Sequence, residues 1–249
     1  MGSDPLRHSM PSPADIQASA QEMRGMFTRV SGGYDRLNRA MSIGLDVVWR
    51  KRALACLART SPSPRRILDL ATGTADFAIA SARRFPDAHV TGVDLTPAML
   101  DEGRKKVEAA GLSGRIVLEE GNACALACAE GSFDAVLCAF GFRNFPDRAA
   151  ALREVARVLK PGGHLLVLEL FRTRFRVLAM ATAAWMACVA RLFAGRARED
   201  YAYLRASIGE TCTAATFGEL AAAAGFSPAQ RFFLFPACSC FLFRRNVIK

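Results

Sequence analysis

Three residues could hold a nucleotide-like ligand: Asp69, Gly73 and Asp94. Asp69 lies in the apolar run Arg66-Ile67-Leu68-Asp69-Leu70, which reads as a buried strand. The small-residue break Ala71-Thr72-Gly73-Thr74-Ala75 follows, and an apolar pattern at helical spacing then runs to Arg84. Strand, tight turn and helix bring backbone close to a ligand and present unpaired N–H groups at the helix start. Twenty-one residues beyond Gly73, the run Ala88–Val93 ends at Asp94. An acid about 20 residues past such a turn is placed to accept hydrogen bonds from ribose hydroxyls. A nucleotide loop wants glycine at three positions, and Ala71 and Ala75 fill two of them. Their Cβ atoms disfavour positive φ. On the loop alone an ordinary strand-to-helix turn is an equal reading, and Asp94 tips the balance toward a ligand.

The surrounding elements must carry these residues. Strand and helix alternate: strand 67–70, helix 76–84, strand 90–93, a helix opening at Thr96-Pro97 and running to Gly111, strand 116–119, strand 133–138, helix 149–159, strand 165–169. Thr96 is the expected N-cap, with Pro97 at the first helical position. Pro161-Gly162-Gly163 reads as a helix stop and turn. Such alternation predicts an α/β fold, an open and mostly parallel sheet with helices on both faces. Ligands then bind beyond the carboxyl ends of the strands. Asp69, Asp94, Asn122 and Ala139 all fall at or just past those ends.

Residues 1–13 read as a disordered leader or a cloning remnant, and 14–249 as one domain. Helical patterns cover 14–30 and 45–59. Between them Ser31-Gly32-Gly33-Tyr34-Asp35-Arg36-Leu37-Asn38 reads as a turn suited to a lid. The arginine-flanked apolar stretch within 171–208 reads as a helical cap over the substrate site or a membrane-surface helix, too short to span a bilayer. A helix at 216–224 and a hairpin at about 230–244 close the sheet.

Of 249 residues, 51% are hydrophobic and 22% charged, a globular composition. The net charge of +10 implies an anionic partner surface, either nucleic acid or anionic lipid. No aromatic–basic platform for stacked bases is evident, so no nucleic-acid partner is expected. Eight cysteines without a Cys-x-x-Cys pair, and only three histidines, argue against a metal site. Free thiols in a reducing compartment are the default.

The chain resembles the class I S-adenosylmethionine-dependent methyltransferases, and within them the menaquinone and ubiquinone biosynthesis C-methyltransferases. The resemblance rests on Met26-Phe27, Tyr34–Asn38, Trp49-Arg50, Leu68–Thr74, Gly92–Asp94, Met99-Leu100, Asn122-Ala123, Phe140–Asn144, Arg157–Gly163, Glu169 and Tyr201-x-Tyr203-Leu204-x-x-Ser207-Ile208. It implies a seven-stranded sheet with an antiparallel last strand. It implies S-adenosyl-L-methionine as cofactor, held by Tyr34, Asp69, Gly73, Thr74, Asp94, Asn122, Ala123 and Ala139. Ala75 and Ala139 depart from the family pattern, which has glycine and often a hydroxyl residue there. The implied reaction is C-methylation of a polyprenylated quinol ring.

A ring carbon attacks well only as its phenol ionises, so something must stabilise the phenolate. Arg143 is the candidate, with Asp35, Asn144 and Tyr201 shaping the substrate pocket. A salt bridge that merely holds the loop is the competing role for Arg143. The implied location is cytoplasmic, on the inner face of a membrane with an anionic surface. A homodimer, a soluble or phospholipid acceptor, and a scaffold subunit with weakened catalysis stay open.

Overall fold

The computed structural model describes residues 13–171, 180, 184, 188, 212–234 and 238–247. Seven strands form one sheet: β1 (Arg66–Leu70), β2 (His89–Asp94), β3 (Ile116–Glu120), β4 (Phe133–Ala139), β5 (Leu159–Leu170), β6 (Phe226–Leu234) and β7 (Cys238–Arg245). Their order is β3-β2-β1-β4-β5-β7-β6. The pairs among β1 to β5 are parallel, and β7 runs antiparallel to both β5 and β6. The expected mostly parallel seven-stranded sheet with an antiparallel last strand is therefore present.

The described helices are α1 (Pro13–Val30), α2 (Tyr34–Ser42), α3 (Leu45–Thr60), α4 (Asp76–Arg84), α5 (Pro97–Ala109), α6 (Arg148–Val158) and α7 (Ala214–Ala223). Successive strand residues face opposite sides, so the sheet has two cores. Ile67, Val90, Leu137, Leu166 and Leu242 pack on one side with α3, α4 and α5. Leu68, Val136, Val167, Phe241 and Phe243 pack on the other with α6 and α7. On that second side the Phe217 ring lies 4.7 Å from Phe142 and 5.1 Å from Phe241, centroid to centroid.

Three expectations need correction. Residues 31–38 are not a plain turn: Ser31–Gly33 is one turn of 3-10 helix, and Tyr34 opens α2. Distant ion pairs, described below, hold this nine-residue helix. The helix does stop ahead of Pro161-Gly162-Gly163, at Val158, but that stretch is not a separate turn. Gly162 takes a left-handed conformation (φ +77°), the register with β4 shifts, and β5 runs through from Leu159. Thr96 is the N-cap and Pro97 opens the helix, as expected, although the Thr96 hydroxyl makes no cap bond and turns to the Asp94 carboxylate. The last hairpin also begins earlier than expected, at Phe226.

The loops at the carboxyl edge approach closely. A methyl group built on Gly141 would lie 2.4 Å from the Cβ of Ala71. Gly141→Ala should therefore force the β1 and β4 loops apart and cost about 1–3 kcal/mol, as overpacking does. Pairing it with Ala71→Gly should recover most of the loss, because Ala71 itself is at φ +55°. Urea midpoints of the single and double variants check this. Equal losses in both would mean that the contact does not limit the site.

Candidate active site

The β1–α4 loop is built around Asp94. One of its carboxylate oxygens accepts the Gly73 N–H at 2.9 Å, and the other accepts the Thr96 N–H at 2.9 Å. The Gly73 turn closes when Ala75 N–H donates to the Thr72 carbonyl at 2.9 Å, while Thr72 N–H donates to the Val93 carbonyl at 3.1 Å. Both flanking alanines accept the left-handed conformation, Ala75 at φ +65°. Burial raises the Asp94 pKa, opposed by the Thr96 and Gly73 donors. The Thr96 hydroxyl and the Leu95 N–H also bear on this carboxylate, so the hydroxyl groups of a ligand would share it with donors already in place.

A cavity with an empty volume of about 750 Å³, open to solvent on one side, lies against Asp94. Its walls include Gly73, Val93, Leu95, Met99, Asn122, Ala123, Gly141 and Asn144, with Met23, Arg24 and Phe27 of α1 closing the far side. The Asn122 side-chain oxygen accepts the Cys124 N–H at 2.9 Å, which leaves its amide group to donate. Phe27 stacks edge-on against Tyr34 with centroids 5.9 Å apart. Arg24 pairs with Glu120 at 2.9 Å and ties α1 to the edge of the sheet.

A second, smaller cavity lies on the other side of the Gly73 turn. Asp69, Thr74, Arg50, Asp35 and Ala139 line it, and Tyr34, Ala71 and Gly73 line both cavities. The Asp69 carboxylate is buried and accepts the Thr72 hydroxyl at 2.6 Å. Burial, only partly offset by that bond and by Arg50, pushes its pKa up to about 7. Burial also raises the Tyr34 hydroxyl pKa, against the pull of Arg143 and a hydrogen bond to Asn38.

Asp35 is placed differently from the expected substrate pocket. One of its oxygens accepts the Thr74 hydroxyl at 2.6 Å and the other pairs with Lys106 at 2.6 Å. Lys106 also pairs with Asp76, and Arg39 and Arg50 add further charge. Burial would raise the Asp76 pKa, but Lys106 and the two arginines together bring it below its ordinary value. Asp35 thus clasps α2 to α5 and the ligand loop.

Arg143 lies behind the larger cavity. Its guanidinium is buried, donates to the Phe140 carbonyl at 2.6 Å and pairs with the fully buried Glu169 at 2.7 Å. The other Glu169 oxygen accepts the Arg143 backbone N–H at 3.1 Å. Phe140 sits at φ +60°, rare for a bulky residue, and these bonds hold it there.

Tyr201 lies outside the described residues. Every other expected site residue except Arg143 borders one of the two cavities: Tyr34, Asp69, Gly73, Thr74, Asp94, Asn122, Ala123, Ala139, Asn144 and Asp35. Strand-end reasoning left out other lining residues, among them Met23, Arg24, Gly121, Gly141 and Pro146. The only sequence signal for the first two was the apolar pattern of α1.

The Asp69 carboxyl has a sharp pH consequence. Its folded value of about 7 exceeds its ordinary 3.8, so the folded chain keeps a proton that the unfolded chain releases. The associated stability is full below about pH 4 and is lost as pH rises toward about 7, up to about 4 kcal/mol in all. Asp94 slopes the same way and Asp76 the opposite way, so the comparison with Asp69→Asn isolates this one group. That variant should gain on the parent steadily as pH rises, read as the difference in thermal midpoint. A difference independent of pH would contradict the assignment.

A model of the ubiE/COQ5 methyltransferase family matches residues 16–235. The demethylmenaquinone methyltransferase of Deinococcus radiodurans is 48% identical over 159 residues, 64% of this chain and 64% of that protein. The match therefore spans less than two thirds of that relative's length. The ubiquinone/menaquinone biosynthesis C-methyltransferase UbiE of Geobacter sulfurreducens is 36% identical over 214 residues, 85% of this chain and 83% of that protein. Among solved structures, a SAM-dependent methyltransferase of Thermotoga maritima has the same fold, with a TM-score of 0.63 over 90% of this chain and all of that one, at 19% identity. Matched over most of its length, this chain belongs to the ubiE/COQ5 methyltransferase family.

Proposed function

We propose that this chain uses S-adenosyl-L-methionine to methylate a ring carbon of a lipophilic hydroquinone, at the inner face of a membrane. The observation that carries the reading is the pair of cavities meeting at Tyr34, Ala71 and Gly73. The larger cavity offers acceptors at Asp94 for vicinal hydroxyls. It also offers an amide at Asn122 and apolar walls at Val93, Leu95 and Met99 for a flat heterocycle. The smaller sets a carboxylate, Asp69, near the guanidinium of Arg50, a charge pattern that suits the ammonium and carboxylate of an amino acid. Because Tyr34, Ala71 and Gly73 line both cavities, residues of the two together would hold a nucleoside joined to an amino acid.

The bound cofactor supplies a methyl group on a sulfonium, already a good donor. The protein's work is to align it with the acceptor and exclude water. Tyr34 and Phe27 cover the cavity, while Gly141 and Ala71 let two loops close on it. Asn144 carries a polar group on the wall of the larger cavity, on the same short turn as Arg143. The quinol acceptor is supported by the names of the relatives above and by the Phe140–Asn144 turn. No helix among the described residues is long and apolar enough to cross a membrane, so the proposed association is peripheral.

Asp94→Ala should lower S-adenosylmethionine affinity at least tenfold in calorimetry, because charge-assisted hydrogen bonds contribute about 1.5–3 kcal/mol each. Absence of binding heat with the parent protein would sink the cofactor assignment.

Arg143 pairs with Glu169, so its charge is already matched, and we assign it to holding the turn. Arg143→Gln should lose stability and turnover on a hydroquinone together, since breaking a buried ion pair costs about 3–5 kcal/mol. Arg143→Met combined with Glu169→Gln removes both charges and keeps one carbonyl oxygen for one of the two backbone N–H groups, of residue 143 and Leu170, that Glu169 accepts. Recovery of stability and turnover in the double variant supports a positioning role. Stability regained without turnover would show that the cation itself acts on the acceptor.

A further inference from the structure

We propose that the flank formed by the α2–α3 corner, the outer face of α3 and strand β6 docks on an anionic phospholipid bilayer. The inference rests on the proposed acceptor being dissolved in a membrane. It commits to a surface other than the arginine-flanked stretch read from the sequence.

Ile43 ends α2 in the left-handed conformation, at φ +53°, and is 66% exposed. Glycine or asparagine is usual at such a cap, and for a β-branched residue this backbone is a true outlier. Inside the fold the isoleucine side chain gains almost nothing for that strain. Val48, Arg52, Ala55 and Arg59 follow on α3 at spacings of 4, 3 and 4, which is one stripe of a helix. Val48 is 41% exposed, and the stripe points away from the core residues Trp49, Ala53, Leu54 and Leu57. Arg52, Ala55 and Arg59 share a groove with Gln230, Arg231 and Phe232 of the edge strand β6.

Among the described residues no carboxylate pairs with Arg52, Arg59 or Arg231. Arg39 and Arg50, by contrast, both pair with Asp46 and approach Asp76. Arg52, Arg59 and Arg231 are thus left without a carboxylate, Arg231 lying over the Phe241 ring at 5.0 Å. Apolar side chains at one end of a stripe and guanidinium groups along the rest match the interfacial and headgroup levels of a bilayer. The apolar end is also the end near the site, since Trp49 lies 6.2 Å from the Phe140 ring and Arg50 5.4 Å from it.

Flotation of the full chain on phosphatidylcholine vesicles with and without phosphatidylglycerol tests the proposal. The parent should float only with the anionic lipid, and less as salt rises. Replacing Arg52, Arg59 and Arg231 together by Gln should cut partitioning roughly a hundredfold at low salt, from about fivefold per arginine. Ile43→Gly should raise the thermal midpoint in solution while weakening partitioning, which a merely structural residue would not do. Val117→Ser, at the opposite sheet edge and 55% exposed in the parent, should leave partitioning unchanged. The proposal fails if the parent stays soluble, or if the triple variant partitions normally. It fails if Ile43→Gly lowers stability, or if inorganic phosphate at constant ionic strength displaces the protein as an ordinary soluble anion would. Turnover on a short-chain hydroquinone free in solution reports the proposed reaction separately, so failure of the docking face and failure of the reaction give different results.

Discussion

The Asp94 carboxylate is the constraint on which the ligand end of this fold depends. It receives N–H donors from two loops that leave neighbouring strands, one at Gly73 and one at Thr96. The register between β1 and β2, with Leu70 opposite Val93, delivers both loops to the same level. Gly121 N–H donates to the Asp94 backbone carbonyl at 2.9 Å, which draws in the end of β3 as well. A buried charge is tolerable there because two fixed donors and the start of α5 surround it. Three strand ends are thereby held in one geometry before any ligand arrives.

That geometry is reached with strain. Ala71, Ala75 and Phe140 all adopt left-handed backbone, and all border the cavities or their supporting turn. Such strain persists where its surroundings over-determine it. For Phe140 the surroundings are the Arg143–Glu169 pair below and the Phe142–Phe217 contact on the far side of the sheet. For the alanines they are the Thr72–Ala75 turn and the buried Asp69–Thr72 bond. Rigid packing on one side and strained loops on the other place the flexible decisions at the ligand.

Much of this was readable in the chain because the signals are local. The helix Asp76–Arg84 and the ends of β1, β2 and β4 follow from short apolar runs and the breaks after them. Convergence of Asp69, Asp94 and Asn122 follows from the parallel alternation alone. What escaped notice depends on distant partners. The helix Tyr34–Ser42 is short, follows Ser31-Gly32-Gly33, and is secured by Lys106, far along the chain. The same clasp engages both oxygens of Asp35, at the border of the smaller cavity. β5 carries Pro-Gly-Gly as an irregularity between its two paired parts, Leu159 opposite Phe133 and His164 opposite Ala135, a register shift that no local rule foresees. The pairing of Arg143 with Glu169 joins two strand ends 26 residues apart, and neither residue alone announces it.

The clasp at Asp35 also has a kinetic side. α1 walls the larger cavity, and the segment that follows it is fastened by Thr74 and Lys106 rather than by apolar packing. A cover fastened by charge is released by ions in solution more readily than one fastened by burial. The dwell time of a bound nucleoside, before and after it has reacted, is then set by ionic strength.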